Sequence, residues 1–169
     1  MFKINDYVIY GLTGVCQITD IGKDEYAKDN DTQYYVLTPV FSSNMTIRLP
    51  VNSRKVRMRP VMTKEQVLDL IATMPEQETL WTDDDRQRSA SFQTALRSGK
   101  SEEWVKLIKT LYTEKETRST MGKKLTKTDE DLMNNAERQL YQEFAIALGI
   151  SPDEVLDFIQ KYVPEKVKA

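Results

Sequence analysis

The chain has 169 residues, of which 40% are hydrophobic and 30% charged, and its net charge is −2. That length allows one hydrophobic core or two small ones. The sequence contains no histidine, which excludes the usual zinc sites, catalytic triads and imidazole bases, and its single cysteine, Cys16, excludes an internal disulfide. Cys16 lies in the apolar run VCQI, where we expect a buried structural thiol.

No apolar run approaches the length of a membrane span. The first residues, MFKINDYVIYG, lack the cationic head and the small-residue cleavage site of a secretion signal. We therefore expect a cytoplasmic protein with no membrane partner.

Charge is spread unevenly along the chain. Residues 1–60 carry eight Lys/Arg against six Asp/Glu, and residues 61–169 carry sixteen against twenty. Neither half is thus a general polyanion binder. Any contact with nucleic acid must be local.

The first sixty residues are typical of short strands separated by turns. Runs rich in Val, Ile, Thr and Tyr predict five strands, YVIY (7–10), GVCQITDI (14–21), QYYVLTPV (33–40), NMTIRLPV (44–51) and RKVRMRPV (54–61). GLTG, KDND and SSN supply turn residues between them. Five strands in sixty residues predict a small antiparallel barrel. An edge that stays open offers a place for a partner strand to add on.

After residue 61 the apolar period becomes helical, and we predict four or five helices. The predicted N-caps are, in chain order, Thr63, Thr82, Ser101, Thr128 and Ser151. Gln66 completes a capping box with the first of them, and Gly99 and Gly149 are predicted to end the second and fourth helices. The fold expected is α+β, with a small β-barrel domain at 1–61 followed by an all-α helical domain at 62–169.

One tryptophan belongs to a predicted core stripe. Trp104 recurs at helical spacing with four other apolar residues, Leu107, Ile108, Leu111 and Tyr112. We assign it to the core of the helical domain.

The other tryptophan, Trp81, stands in LWTDDDRQR (80–88), directly before the predicted cap Thr82. One interpretation is a hydrophobic staple whose partner at the fourth helical position would be Arg86, stacked on the indole. The other is an aromatic wedge, flanked by Arg86 and Arg88, that unstacks a base step in the minor groove. Taken alone, this stretch favours the cap.

Two charged runs have local explanations. Asp83, Asp84 and Asp85 are consecutive, so on a helix they point in three directions and suit capping and the helix dipole better than a metal site. KETRSTMGKKLTK (115–127) is interpreted as a basic connector, either solvated or in contact with phosphates. No phosphate-binding glycine motif or paired-acid motif is present, so we expect no catalytic residues, no metal, no cofactor and no enzymatic activity.

The whole pattern resembles the CarD/CdnL family of bacterial transcription regulators. The resemblance rests on FKINDYVIYGLTGVCQI, YYVLTPV, MTIRLPV and a basic strand, followed by a helical half that opens near a Trp and contains LIKTLY and AERQLYQEFA. The first module is also similar to the polymerase-interacting domain of the transcription-repair coupling factor, but no Walker motif accompanies it. The free-standing family is the better match.

That resemblance implies a Tudor/SH3-like first domain that binds the RNA polymerase β subunit sheet to sheet, and a helical domain at promoter DNA. Arg48 in MTIRLP matches the polymerase-contacting arginine, within a segment that also contains Thr46, Ile47, Leu49 and Pro50. Trp81 matches a tryptophan that wedges into the minor groove at the upstream edge of the bubble and stabilises the open complex. It would then lack an apolar partner in the protein because its partner is DNA.

Further DNA contacts are assigned by position or by spacing alone, to Arg86, Arg88, Lys123, Lys124 and Lys127. The chain departs from family members that carry basic residues directly after the wedge, because its three aspartates would repel phosphates unless they face away. We expect a monomer, associated with the nucleoid through polymerase. The alternative is a polymerase-bound adaptor whose helical domain binds another protein, with Trp81 as a cap.

Overall fold

Strands and helices occupy separate parts of the chain in the computed structural model. It describes residues 2–23, 32–41, 45–52 and 58–162. The predicted turns KDND and SSN and the first four residues of the fifth predicted strand, 54–57, lie outside those residues. The chain divides into two compact units, Met1–Val61 and Met62–Ala169. The first contains strands and the second helices, which confirms the α+β fold.

The first unit is one antiparallel sheet. Its strands are β1 (Tyr7–Tyr10), β2 (Gly14–Lys23), β3 (Gln33–Pro39), β4 (Ile47–Pro50) and β5 (Met58–Pro60). They lie in the order β4-β3-β2-β1-β5. In the part of the chain that the structure describes, β4 and β5 are therefore the two ends of the sheet.

Alternating side chains build the core of this unit. Val8, Cys16, Ile18, Tyr35 and Leu37 form one buried cluster. As predicted, Cys16 is buried, and burial raises the pKa of its thiol to about 11 because the thiolate loses its hydration. The thiol is thus a packing group.

The second unit contains five helices among its described residues. They are α1 (Lys64–Thr73), α2 (Asp85–Arg97), α3 (Ser101–Thr120), α4 (Lys127–Leu148) and α5 (Pro152–Tyr162). A 3₁₀ turn, Met74–Glu76, follows α1. No helix of the described residues is both long enough and apolar enough to cross a membrane.

The helix starts agree with prediction at two positions and differ at three. The capping box of Thr63 and Gln66 is present, and Ser151 directly precedes α5. The N-cap of α4 is Thr126 in place of Thr128. For α2 the N-cap is Asp84, whose carboxylate accepts hydrogen bonds from two amides, so the prediction of Thr82 was wrong.

The third difference concerns Ser101. The N-cap of α3 is Lys100, and the Ser101 hydroxyl donates to the carboxylate of Glu143 instead of capping the helix. α3 continues to Thr120, so the first six residues of the predicted connector 115–127 are helical. The second oxygen of the buried Glu143 carboxylate accepts a hydrogen bond of 2.9 Å from the Met62 amide. One buried acid therefore ties α4 to α3 and to the first residue of this unit.

Helices α2, α3 and α4 share the main core of the unit. Its buried side chains are Phe92, Ala95, Leu96, Leu107, Leu111, Leu132, Met133 and Ala136. Trp104 is fully buried, as its apolar stripe predicts, and its indole Nε1 donates to the Leu96 carbonyl at 3.0 Å. Tyr112, the last residue of the predicted stripe, is half exposed because α3 extends beyond the core.

Candidate functional site

The edge strand β4 presents backbone groups on its outer side. Its register with β3 pairs Arg48 with Val36 and Leu49 with Tyr35, and the Val51 amide donates to the Gln33 carbonyl at 2.9 Å. Bonded and non-bonded pairs alternate in an antiparallel ladder, so Leu49 bonds to β3 and Arg48 does not. Among the described strands, the outer side of β4 thus offers the Arg48 amide and carbonyl.

Side chains along TIRLP alternate between solvent and core, as the period of two of a β-strand predicts from the sequence. Thr46 and Arg48 are exposed, Leu49 is buried and Ile47 is half-buried against the core of the sheet. Pro50 has no amide hydrogen, so it offers only its carbonyl to the open side. Within β4, the open side offers both a donor and an acceptor at Arg48 but only an acceptor at Pro50, which restricts the register of an added strand.

Sequence reasoning missed three exposed apolar side chains that follow β3 or precede β4 in the chain. Val40, Phe41 and Met45, which flank residues 42–44 between β3 and β4, are 37%, 38% and 45% exposed. Single apolar residues outside regular elements carry no recognisable periodicity, so only the structure shows that these three side chains are exposed.

Trp81 lies on a connector that α3 holds in place. The Lys109 ammonium donates to the carbonyls of Pro75 and Gln77, both at 2.7 Å. The Thr110 hydroxyl accepts from the Leu80 amide at 2.8 Å. These contacts fix the chain on both sides of residues 78–79 and place Trp81 just before α2. The sequence gives no signal for them, because the partners lie thirty or more residues apart.

Trp81 has an apolar partner inside the protein, contrary to expectation. Its side chain is half-buried and packs against the core cluster of α2, α3 and α4. The ring centroids of Trp81 and Phe92 are 6.4 Å apart, with an interplanar angle of 50°. The statement that Trp81 lacks an apolar partner was therefore wrong, because Phe92 on α2 turns toward the connector.

An arginine lies over the indole, and it is Arg88, two residues beyond the expected Arg86. The Arg88 guanidinium carbon is 4.3 Å from the indole centroid. The cause is the helix start: with Asp84 as the N-cap, the fourth helical position is Arg88. Arg86 is exposed.

All three aspartates of the acidic run are used locally. Asp83 accepts from the indole Nε1 of Trp81 at 3.2 Å, and Asp84 caps α2. Asp85 pairs with Arg88 at 2.6 Å. As expected from their spacing, they do not converge on one point. Their negative charge is partly offset by these partners and by the positive end of the α2 dipole.

The lysines assigned by spacing lie between α3 and α4. Lys123 and Lys124 are exposed in the loop, and Lys127 is the first residue of α4, with an exposed ion pair of 3.6 Å to Asp131. Leu125, in the same loop, packs against the core cluster that Trp81 also contacts. The lysine loop and the tryptophan connector therefore border one core, whereas Arg48 belongs to the other unit.

Comparison with known families decides the assignment of the chain. The model of the CarD-like/TRCF RID domain matches residues 2–62, and the model of the CarD C-terminal domain matches residues 66–160. The chain belongs to the CarD family. This confirms the resemblance seen in the sequence, and the first unit is a Tudor-like RNA polymerase-interacting domain. No curated protein matches the chain.

Membership in the CarD family points to transcription regulation through interaction with RNA polymerase. The CarD family consists of non-enzymatic regulators that bind RNA polymerase. Arg48 falls in the first matched segment, and Trp81 and the three lysines fall in the second.

Proposed function

We propose that this protein binds the β subunit of RNA polymerase through β4 and stabilises the promoter open complex through Trp81. The proposal is supported by two features that occur in one chain. One is an open, arginine-bearing sheet edge in a polymerase-interacting domain, and the other is a half-buried tryptophan just before a helix. Such a regulator acts where polymerase is, in the cytoplasm at the nucleoid.

The polymerase contact is assigned to the open side of β4. A strand of the partner pairs with the Arg48 backbone, while the exposed side chains of Thr46 and Arg48 contact the neighbouring surface. Leu49 and Ile47 face the core and hold the strand in place, and Pro50 limits the register. The exposed side chains of Val40, Phe41 and Met45 are assigned to the same contact, to which they would add apolar area.

The DNA contact is assigned to Trp81 with cations of the same unit. Arg86 and the lysines 123, 124 and 127 are exposed and suit phosphates, whereas Arg88 is engaged with the indole. Unstacking one base step costs a few kcal/mol, which a single indole and a few phosphate contacts offset only at high local concentration. Polymerase binding supplies that concentration.

The net charge of −2 is consistent with a DNA contact that depends on polymerase binding. A protein of net negative charge whose basic residues are confined to short stretches of sequence binds free duplex DNA weakly, with a dissociation constant no better than about 10⁻⁴ M at physiological salt. We therefore propose a monomer that depends on polymerase for its action on DNA. Tight gel shifts without polymerase would contradict this dependence.

Charge reversal at Arg48 tests the polymerase contact. Arg48→Glu is expected to abolish pull-down of the β subunit without unfolding the sheet, because the side chain is exposed and points away from the core. Lys3→Glu reverses an exposed cation of the same unit outside β4 and serves as the matched control. Undiminished pull-down by the Arg48 variant would refute the assignment.

A second candidate function is a polymerase-bound adaptor without DNA contact. The contacts of Trp81 with Phe92 and Arg88 favour it, because they are those of a structural cap. Polymerase-dependent footprinting separates the two functions. Only the wedge predicts altered protection at the upstream edge of the bubble.

A further inference from the structure

The indole of Trp81 carries a contact that competes directly with base stacking. The Arg88 guanidinium carbon lies 4.3 Å from the ring centroid, which places the cation over one face of the indole. A base stacked on that face would occupy the same space. The guanidinium and a base therefore exclude each other from this face.

The remaining contacts of Arg88 are suited to exchange. Its Nη2 donates to the Asp85 carboxylate at 2.6 Å, and its Nη1 donates to the Thr82 carbonyl at 3.2 Å. The Asp85 side chain is 86% exposed, whereas that of Arg88 is 12% exposed. The Asp85 carboxylate lies in solvent, so exchanging it for another anion costs little, and the new anion has to offset the packing of the largely buried Arg88 side chain.

We propose that Arg88 is a latch on Trp81, opened when a DNA phosphate takes the guanidinium from Asp85 and from the indole. The inference rests on the proposed DNA contact of Trp81 and adds a step to it. Arginine binds phosphate with two parallel, charge-assisted hydrogen bonds, so phosphate supplies new acceptors for the donors that leave Asp85 and Thr82. The face of the indole becomes vacant in the same step.

Two contacts keep the indole oriented after Arg88 leaves. The Asp83 carboxylate accepts from the indole Nε1 at 3.2 Å, and the Phe92 ring packs beside it with a centroid distance of 6.4 Å. Neither partner lies in the Arg88 ion pair. One face of the Trp81 indole thus becomes accessible while its contacts with Asp83 and Phe92 remain.

The latch also explains why the acidic run and the wedge occur together. Away from DNA, Asp85 holds Arg88 over the indole and so keeps part of its apolar surface out of water. Near DNA, the same acid is repelled by the phosphate that attracts Arg88. Asp85 therefore sets how readily the latch opens.

Acrylamide quenching of tryptophan fluorescence tests the closed latch without DNA or polymerase. Trp104 is fully buried, so the quenchable emission comes from Trp81. Arg88→Gln is expected to raise the quenching constant by about twofold, since a stacked cation leaves one face of the ring. Asp85→Asn should raise it less, and Arg97→Gln, at the exposed far end of α2, should not change it. Equal quenching in wild type and Arg88→Gln would overturn the proposal.

Open-complex lifetime on a promoter with polymerase tests the release step. We expect Asp85→Asn to lengthen the lifetime, because the latch opens more readily, and Arg88→Gln to shorten it, because the phosphate contact is lost. In the Arg88→Gln background, Asp85→Asn should have no effect, since it acts through Arg88. An equal lengthening in that background would show that reduced charge repulsion is the cause and would overturn the latch.

The same assay separates this inference from the proposed function. If Trp81→Ala leaves the lifetime unchanged, the wedge is wrong and the release step fails with it, while quenching still decides whether Arg88 covers the indole. If Trp81→Ala shortens the lifetime and Asp85→Asn has no effect, the wedge stands and the latch is wrong.

Discussion

Trp104 and Trp81 lie in the same helical unit but in different kinds of surroundings. The Trp104 side chain is fully buried, and its indole N–H donates to a backbone carbonyl at 3.0 Å. The Trp81 side chain is half-buried, and its indole N–H donates to the exposed carboxylate of Asp83, with Arg88 over the ring. The polar partners of Trp81 lie where water can replace them, whereas Trp104 is closed to solvent.

Trp104 is therefore a structural tryptophan. Trp81 is positioned by contacts within the protein, but its side chain remains partly accessible to a binding partner. Buried contacts are lost only when the helices part, because the surrounding core is close-packed. Contacts with charged groups at the surface exchange with solvent at small cost. Substitutions at and around the two tryptophans test this difference.

Truncation of the buried tryptophan is expected to have the largest effect. Trp104→Ala should lower the free energy of unfolding of the helical unit by about 3–5 kcal/mol, through the cavity and through the lost bond to Leu96. Urea unfolding followed by helical circular dichroism measures it. A loss below about 1 kcal/mol would remove the distinction between the two tryptophans.

A buried polar group of the helical unit shows whether burial or polarity determines how much free energy of unfolding a substitution removes. Glu143→Gln should lower the free energy of unfolding by about 1–3 kcal/mol, because an amide replaces one of two oxygens that accept from Ser101 and Met62. Glu130→Gln, at an exposed position of α4, is the matched control and should have little effect. Equal melting curves for the two variants would mean that burial does not govern the cost.

Truncation of Trp81 should have an intermediate effect on stability. Trp81→Ala is expected to cost about 1–2 kcal/mol, since the contacts with Phe92 and Arg88 are lost at a partly solvated site. The contact with Phe92 makes this value larger than it would be for a tryptophan without an apolar partner in the protein. Trp81→Phe should retain part of the stability, and a loss as large as that of Trp104→Ala would make Trp81 a core residue.

The smallest effect is expected for the exposed acid of the latch. Asp85→Asn should change the free energy of unfolding by no more than about 0.5 kcal/mol, because its side chain is 86% exposed. The thermal melt of this variant, compared with that of Asp84→Asn at the N-cap of α2, measures the difference. A larger loss for the Asp85 variant would show that the Arg88 pair is structural.

Periodic features of the fold were predictable from the sequence. The stripe of α3 identified Trp104 as buried, because a period of 3.6 places its apolar residues on one face whichever residue caps the helix. Alternation along MTIRLP placed Arg48 outward and Leu49 inward for the same kind of reason. Both conclusions use only the regular geometry of one element.

The surroundings of Trp81 were not predictable, because they depend on competing caps and on distant partners. Thr82 and Asp84 are both good N-caps, and the choice of Asp84 moves the stacked arginine from Arg86 to Arg88. The hydrogen bonds from Lys109 to the carbonyls of Pro75 and Gln77 join residues more than thirty positions apart. A single sequence gives no indication of such contacts. The local sequence therefore predicted that a helix begins here but did not determine which residue is its N-cap.

Whether Trp81 acts on promoter DNA is decided by the lifetime of the open complex. Wild type, Trp81→Phe and Trp81→Ala are compared at saturating protein, with β-subunit pull-down showing that each still binds polymerase. We predict the longest half-life for wild type, an intermediate one for Phe and the shortest for Ala, following the ring area available to a base step. A half-life of Trp81→Ala equal to that of wild type would contradict the account and leave Trp81 a structural cap.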